Sequence, residues 1–411
     1  MRRLKTSTRV LQVMLFIPFL VFWGTIIASL ERTPLTGRWR TILVSPEEED
    51  EIADQLIGEG WYRAVNEVLN EDGPPKFIPP SDWRYQWVRD TFERLVSVIP
   101  ILADEEHQAP KWTEPGLNNA PLPPPSEHPL HPRPRAADYI RIFCNRVGYT
   151  TPRPREERPF SLLLVDSPTD SNAFSYGFWP DGGHGVVVYS GFLDDIFAKF
   201  PLDYITPPDE RSWFSRILGI GTPPRPQPVV TEAQTTDLAV LLAHELSHLI
   251  LAHHLESLSA TNIVVPGTLS IVADVIRVLI FPITMFLGPF VNDAVGHLGN
   301  VTSAELKNLG EWCTTAKQEI EADIVSARIL AYSGFDARDA IKFWQTRSSE
   351  ADTDCHPASR DNAKHHAKYH NLEGIGGLAG TAHPDSLKRI EILRQEIQRW
   401  EDEKRAATAS A

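Results

Sequence analysis

The sequence predicts a mainly helical α+β fold with one small β-sheet, set behind an N-terminal transmembrane helix. Three observations carry this. Residues 10–30 form an apolar run without a charged side chain. Two long segments, 237–258 and 311–332, contain neither proline nor glycine and read as helices. Two short apolar runs, 160–165 (FSLLLV) and 185–189 (GVVVY), read as strands, the second entered through the turn signal Pro180-Asp181-Gly182-Gly183.

Composition narrows the function classes. The 411 residues include 54 acidic and 40 basic side chains, a formal charge of −14, and 42% are apolar. That supports a sizeable core in one large domain or two modest ones. The acidic balance excludes a general nucleic-acid binder, which needs a basic face. The three cysteines, Cys144, Cys313 and Cys355, form no CxxC, which excludes a disulfide scaffold and a cysteine-rich zinc module.

The elements follow in order. Residues 1–9 are a basic flank: Arg2, Arg3, Lys5 and Arg9 stand with Thr6, Ser7 and Thr8, and no acid precedes Glu31. Such a start suits a short mitochondrial presequence or the positive-inside flank of an anchor. At ~1.5 Å per residue, residues 10–30 can cross a hydrocarbon layer of ~30 Å. The run exceeds the roughly 7–15 residues of a cleaved signal core, and Pro18 is tolerable within a membrane helix. Residues 31–108 read as a helical N-terminal region. Residues 109–135 are a proline-rich insert, expected as an extended surface spacer. The main domain is 136–403, with 404–411 as a tail. Within it, 222–228 is a shorter proline break.

A second apolar stretch runs over 271–291, from Ile271 to Val291, interrupted by Asp274, Arg277, Pro282 and Pro289. Its uncharged part, 278–291, is short for a full span, so a core or interfacial segment is favoured over a second crossing. The 311–332 helix stops at Gly334, and Asp336 caps a new helix through Trp344. A polar insert, 348–381, carries His356, His365, His366 and His370, which read as solvated. A last helix, 384–403, opens on Pro384.

The chemistry centres on His244-Glu245-Leu246-Ser247-His248, an HExxH within an apolar helix. On a helix, His244 and His248 share one face and can hold one Zn²⁺ per subunit, with Glu245 beside the bound water as general base. Buried His and Glu are expensive without such partners. Two positions compete as third ligand. His254 completes HExxHxxxxxH, but Leu251 stands where metzincin-type sites carry glycine. If the helix continues unbroken, His254 falls about 80° off the ligand face. Glu319, in Gln318-Glu319-Ile320-Glu321-Ala322-Asp323, is the other candidate. Asp323 lies one turn beyond it and can orient an imidazole from behind. Glu321 points elsewhere and reads as a solvated or salt-bridged carboxylate. Asn172 reads as a turn residue or a contact to substrate backbone, and the 185–189 strand as a pairing edge for an extended substrate.

HELSH with a downstream EIEAD resembles the HtpX/CAAX-prenyl-endopeptidase family of membrane zinc metallopeptidases. So do Ala382-His383-Pro384 with Arg389-Ile390, and the stretch from Asp166 to Gly191. The resemblance implies a gluzincin-type metallopeptidase domain with the small sheet beside the zinc helix. It makes Glu319, the first residue of that family's ExxxD element, the third ligand, maps the Asp of the same element onto Asp323, and puts His383 near the substrate carbonyl. Pro34-Leu35-Thr36-Gly37-Arg38 with Leu43-Val44-Ser45 is similar to the post-membrane element of the mitochondrial inner-membrane branch whose activity overlaps with the m-AAA protease.

The expected function is therefore a membrane-anchored zinc endopeptidase cutting membrane or misfolded proteins in mitochondrial quality control. An endoplasmic-reticulum protease of the same family, a silent membrane scaffold and a non-peptidase zinc hydrolase are the alternatives. Expected partners are protein or peptide substrates and the membrane, through residues 10–30 with 271–291 as a second candidate contact, but no nucleic acid. A homo-oligomer stays open.

Overall fold

A computed structural model describes residues 29–132, 159–206, 226–260, 316–353 and 387–410, apart from 45, 71–73, 110, 115, 117–118 and 181–182, together with isolated positions at 20–27 and 214. The anchor run therefore falls almost entirely outside the described residues, as do 271–291, His383 and the histidines of the 348–381 insert. Among the described residues no single helix is long and apolar enough to cross a membrane. Leu30, the last residue of the anticipated anchor, sits in a strand.

The chain begins with an antiparallel pair, β1 (Leu30–Arg32) and β2 (Trp39–Thr41). Helices α1 (Pro46–Gln55), α2 (Glu59–Leu69), α3 (Trp83–Val96), α4 (Ile99–Ala103) and α5 (Glu105–Gln108) follow. Next come β3 (Ser161–Val165), β4 (Ala173–Gly177), β5 (His184–Tyr189) and α6 (Ser190–Lys199). A hairpin of β6 (Asp203–Ile205) and β7 (Gln227–Val229) leads into α7 (Glu232–Ile250) and α8 (His253–Ser259). Residues 316–332 are α9, followed by α10 (Arg338–Thr353) and α11 (Leu387–Ser410). The mainly helical α+β expectation holds. The last helix continues past 403, and the helix predicted to end at Trp344 runs on to Thr353.

The main sheet has the order β3-β5-β4, with β5 parallel to β3 and antiparallel to β4. β5 holds the centre because its valines are apolar on both faces. Val186 and Val188 point into the large core that contains α7, while Val187 points the other way, against Trp61, Val65 and Tyr176. This corrects one expectation: β5 is flanked on both sides and cannot offer an edge to a substrate strand. The pattern of residues 173–177 gave no strand signal, because Ala-Phe-Ser-Tyr-Gly is buried at every position and does not alternate.

β4 ends at Gly177, whose φ is +96° and where an added Cβ would stand 2.0 Å from the Gly183 carbonyl oxygen. Both the left-handed backbone and the crowding oppose any side chain. Gly177→Ala is expected to cost about 2 kcal/mol or more, read as a lowered unfolding midpoint in urea.

The 237–258 helix differs from its expected form. It starts earlier, on a capping box in which Gln234 N–H donates to Thr231 Oγ1 at 3.3 Å and Thr231 N–H to Gln234 Oε1 at 2.6 Å. It also breaks, without a glycine, at Ala252 (φ 53°, ψ 40°), and α7 and α8 meet at 54°. A helix end leaves its last carbonyls without intrahelical donors. Here remote donors meet that need: Trp179 N–H reaches Leu249 O at 3.3 Å, and the Arg40 guanidinium reaches Leu251 O.

The proline-rich segment is not a surface spacer over its described part. Leu122 and Leu130 are buried. The segment's carbonyls serve a buried cation: Arg328 on α9 donates to Pro124 O at 2.8 Å and to Glu105 Oε1 at 2.7 Å. The described part of this stretch forms no strand ladder, so its carbonyls are available to accept from a side chain. α9 ends as expected, at Gly334 (φ +80°). Phe335 N–H bonds Leu330 O at 2.9 Å and Gly334 N–H bonds Ala331 O at 3.2 Å, a Schellman closure. Asp336 then caps the next helix, accepting from Arg338 N–H at 2.9 Å.

Candidate metal centre

α7 and α9 meet through their side chains, and each presents two of them one turn apart. From α7 come His244 and His248; from α9 come Glu319 and Asp323. All four are buried. His244 Nε2 lies 3.2 Å from His248 Nε2 and 3.2 Å from Glu319 Oε2, and His248 Nε2 lies 3.4 Å from Glu319 Oε1. These three residues form a group able to hold a metal ion, with their ligand atoms all within 4.8 Å of one another. A tetrahedral zinc with bonds of ~2.0–2.1 Å sets its ligand atoms about 3.3 Å apart. The separation of the two imidazole Nε2 atoms fits that spacing, one Glu319 oxygen faces each imidazole at a similar distance, and two imidazoles with one carboxylate are a catalytic zinc donor set.

The surroundings orient the donors. Asp323 Oδ1 stands 2.9 Å from His244 Nδ1, a charge contact that favours a proton on that nitrogen and leaves Nε2 facing Glu319. Arg389, on α11, bridges both carboxylates: Nε to Asp323 Oδ2 at 2.8 Å, Nη2 to Asp323 Oδ1 at 2.9 Å and Nη1 to Glu319 Oε2 at 3.0 Å. Its guanidinium lies over the Trp344 ring, 4.7 Å from the centroid, and His244 meets the same ring edge-on at 5.1 Å. Burial pushes the Asp323 pKa up, but Arg389 and His244 outweigh it and hold the carboxyl below its ordinary value. For His244, burial pulls downward, and Asp323 and Glu319 more than reverse this, leaving the pKa raised. Glu245, next to His244, is 1% exposed.

A second charged cluster lies behind His248. His253 Nδ1 is 2.9 Å from His248 Nδ1, and His253 Nε2 is 3.4 Å from Glu321 Oε2. Arg38 binds Glu256 through two 2.7 Å bonds and Glu321 through one of 2.5 Å, and Thr36 Oγ1–H donates to Glu321 Oε1 at 2.5 Å. Glu321 is thus salt-bridged, as expected, but buried rather than solvated. Burial works to raise its pKa; His253 and Arg38 overcome that and bring it down to about 2.

The structure brings together His244, His248, Glu319 and Asp323, with Glu245 alongside. It keeps His254 apart, its Nε2 set 3.2 Å from Ser175 Oγ on β4. Asn172 continues the β4–β5 ladder, its carbonyl accepting from Tyr189 N–H at 3.1 Å. His383 lies outside the described residues. In the sequence, Arg389 and Arg38 stand only as members of the resembling stretches, without a role at the site, and His253 is not singled out. For Arg389 a signal existed: two carboxylates buried on one helix face require a cation beyond the imidazoles.

An HExxH helix met by a carboxylate-bearing helix beside a small sheet is the arrangement of a metallopeptidase. Residues 151–397 match peptidase family M48, and the chain belongs to that family. The match takes in the sheet, α7, α9 and the donor set. No curated protein matches the chain.

Proposed function

We propose that this chain is a zinc-dependent endopeptidase in which His244, His248 and Glu319 hold one Zn²⁺ and Glu245 is the general base. The observation that carries it is the convergence of the three donors: the two imidazole Nε2 atoms stand 3.2 Å apart, and each lies within 3.4 Å of one of the two Glu319 oxygens. A zinc ion there supplies Lewis acidity toward a peptide carbonyl and lowers the pKa of water. The chain does the rest. The Glu245 carboxylate takes a proton from the attacking water and passes it to the departing amide nitrogen. Asp323 keeps the His244 proton on Nδ1, and Arg389 fixes the carboxylates of Glu319 and Asp323. The buried walls of α7 and α9 exclude bulk water, which strengthens each of these interactions. His383 takes the carbonyl-facing role that the family resemblance gives it.

The same reading extends to place and substrate. Residues 10–30 anchor the chain in a membrane, and the basic, hydroxylated start with the Pro34–Arg38 element supports the mitochondrial inner membrane. Membrane or misfolded proteins are the substrates. Purified full-length chain is expected to carry about one zinc per subunit and to cleave an unfolded protein. A zinc chelator should abolish cleavage and added zinc should restore it. Cleavage that persists in demonstrably metal-free protein overturns the reading.

A further inference from the structure

We propose that His253 is a positioning residue for the metal centre, and that the Thr36–Arg38 segment reaches the centre through it. The inference rests on the zinc reading above. It follows from proton counting along a row of buried groups. A neutral imidazole carries one N–H, so a His248 that offers Nε2 to a metal must carry its proton on Nδ1. That nitrogen faces His253 Nδ1 at 2.9 Å, which must then accept. The single proton of His253 is thereby forced onto Nε2, and Nε2 faces Glu321 Oε2 at 3.4 Å. Glu321 is an acceptor with no proton of its own; Arg38 Nη2 donates to the same Oε2, and Thr36 Oγ1–H donates to its other oxygen, Oε1. Each link permits one tautomer of the next.

The cluster does not read as a second metal site, although His253, Glu256 and Glu321 have suitable spacing. Arg38 occupies both oxygens of Glu256 and one of Glu321. Two carboxylates and one guanidinium leave a single negative charge, and His253 Nε2–H is the group that faces it. His244 has its tautomer set by Asp323 on α9; His248 has its own set by His253 on α8. The break at Ala252 is what makes this geometry, because it swings His253 back beside His248. Arg38 and Thr36 come from the loop between β1 and β2, closed by Thr33 N–H to Arg38 O at 2.8 Å. The element following the proposed anchor is thus built into the metal centre rather than being a passive tether.

The test compares zinc affinity, by chelator competition, in the full-length wild type, His253→Phe and His253→Gln. Gln keeps an acceptor for His248 Nδ1–H, and Phe does not. Loss of a partner behind a metal-bound histidine typically weakens binding 10–100-fold. His253→Phe is expected to fall in that range, with His253→Gln within about 5-fold of wild type. Equal affinity in all three, or equal loss in both variants, overturns the proposal. Should His253→Phe not fold, ¹⁵N spectra of the histidines in the zinc-loaded wild type decide. His253 protonated at Nε2 supports the proposal, and protonation at Nδ1 overturns it. A wild type that binds no zinc removes the metal reading itself, which separates the two failures.

Discussion

Glu245→Gln is expected to lower peptide hydrolysis by about 10³-fold or more while leaving zinc content unchanged, which corresponds to about 4 kcal/mol of transition-state stabilisation. The two effects separate because of where Glu245 sits. It lies next to His244 on α7 and is buried, yet it is not one of the three residues whose ligand atoms converge. Glutamine has the same size and fits the same space. It cannot accept a proton from water, so kcat should fall while KM moves little. Metal analysis and steady-state kinetics on the same preparation check both halves. Activity within tenfold of wild type would remove Glu245 from the base role; loss of zinc would mean that it holds the metal after all.

The parts of this site that were legible in the sequence are those governed by a single helical turn. His244 with His248 and Glu319 with Asp323 are each spaced so that any helix puts them on one face. The Gly334 stop and the Asp336 cap are equally local. What escaped was decided at a distance. The break at Ala252 needs donors from Trp179 and Arg40, on segments far away in the chain. The burial of the proline-rich stretch depends on Arg328, a cation on a helix two hundred residues later. β5 is central only because β4 flanks it, and β4 carries no periodic signal. Arg389, Arg38 and His253 belong to the same class: each is an ordinary polar residue until the fold surrounds it with carboxylates or an imidazole.

That division also orders the expected damage around the metal. Glu319→Gln should weaken zinc binding more than 100-fold, and Asp323→Asn only 10–100-fold. Glu319 offers Oε2 at 3.2 Å to His244 Nε2 and Oε1 at 3.4 Å to His248 Nε2, so its charge faces the point where the imidazoles converge. An amide in its place keeps an oxygen but loses the charge, and a divalent cation is held chiefly by that charge. The Arg389 guanidinium, 3.0 Å from Glu319 Oε2, sharpens the loss. With Glu319 neutral it adds positive charge beside the cation with less to offset it. Asp323 acts one bond further out, through His244 Nδ1, and an asparagine oxygen can still accept that proton. Chelator competition on the three proteins measures the order directly. An Asp323→Asn loss equal to or larger than the Glu319→Gln loss would place the third donor on the wrong side of the α9 turn.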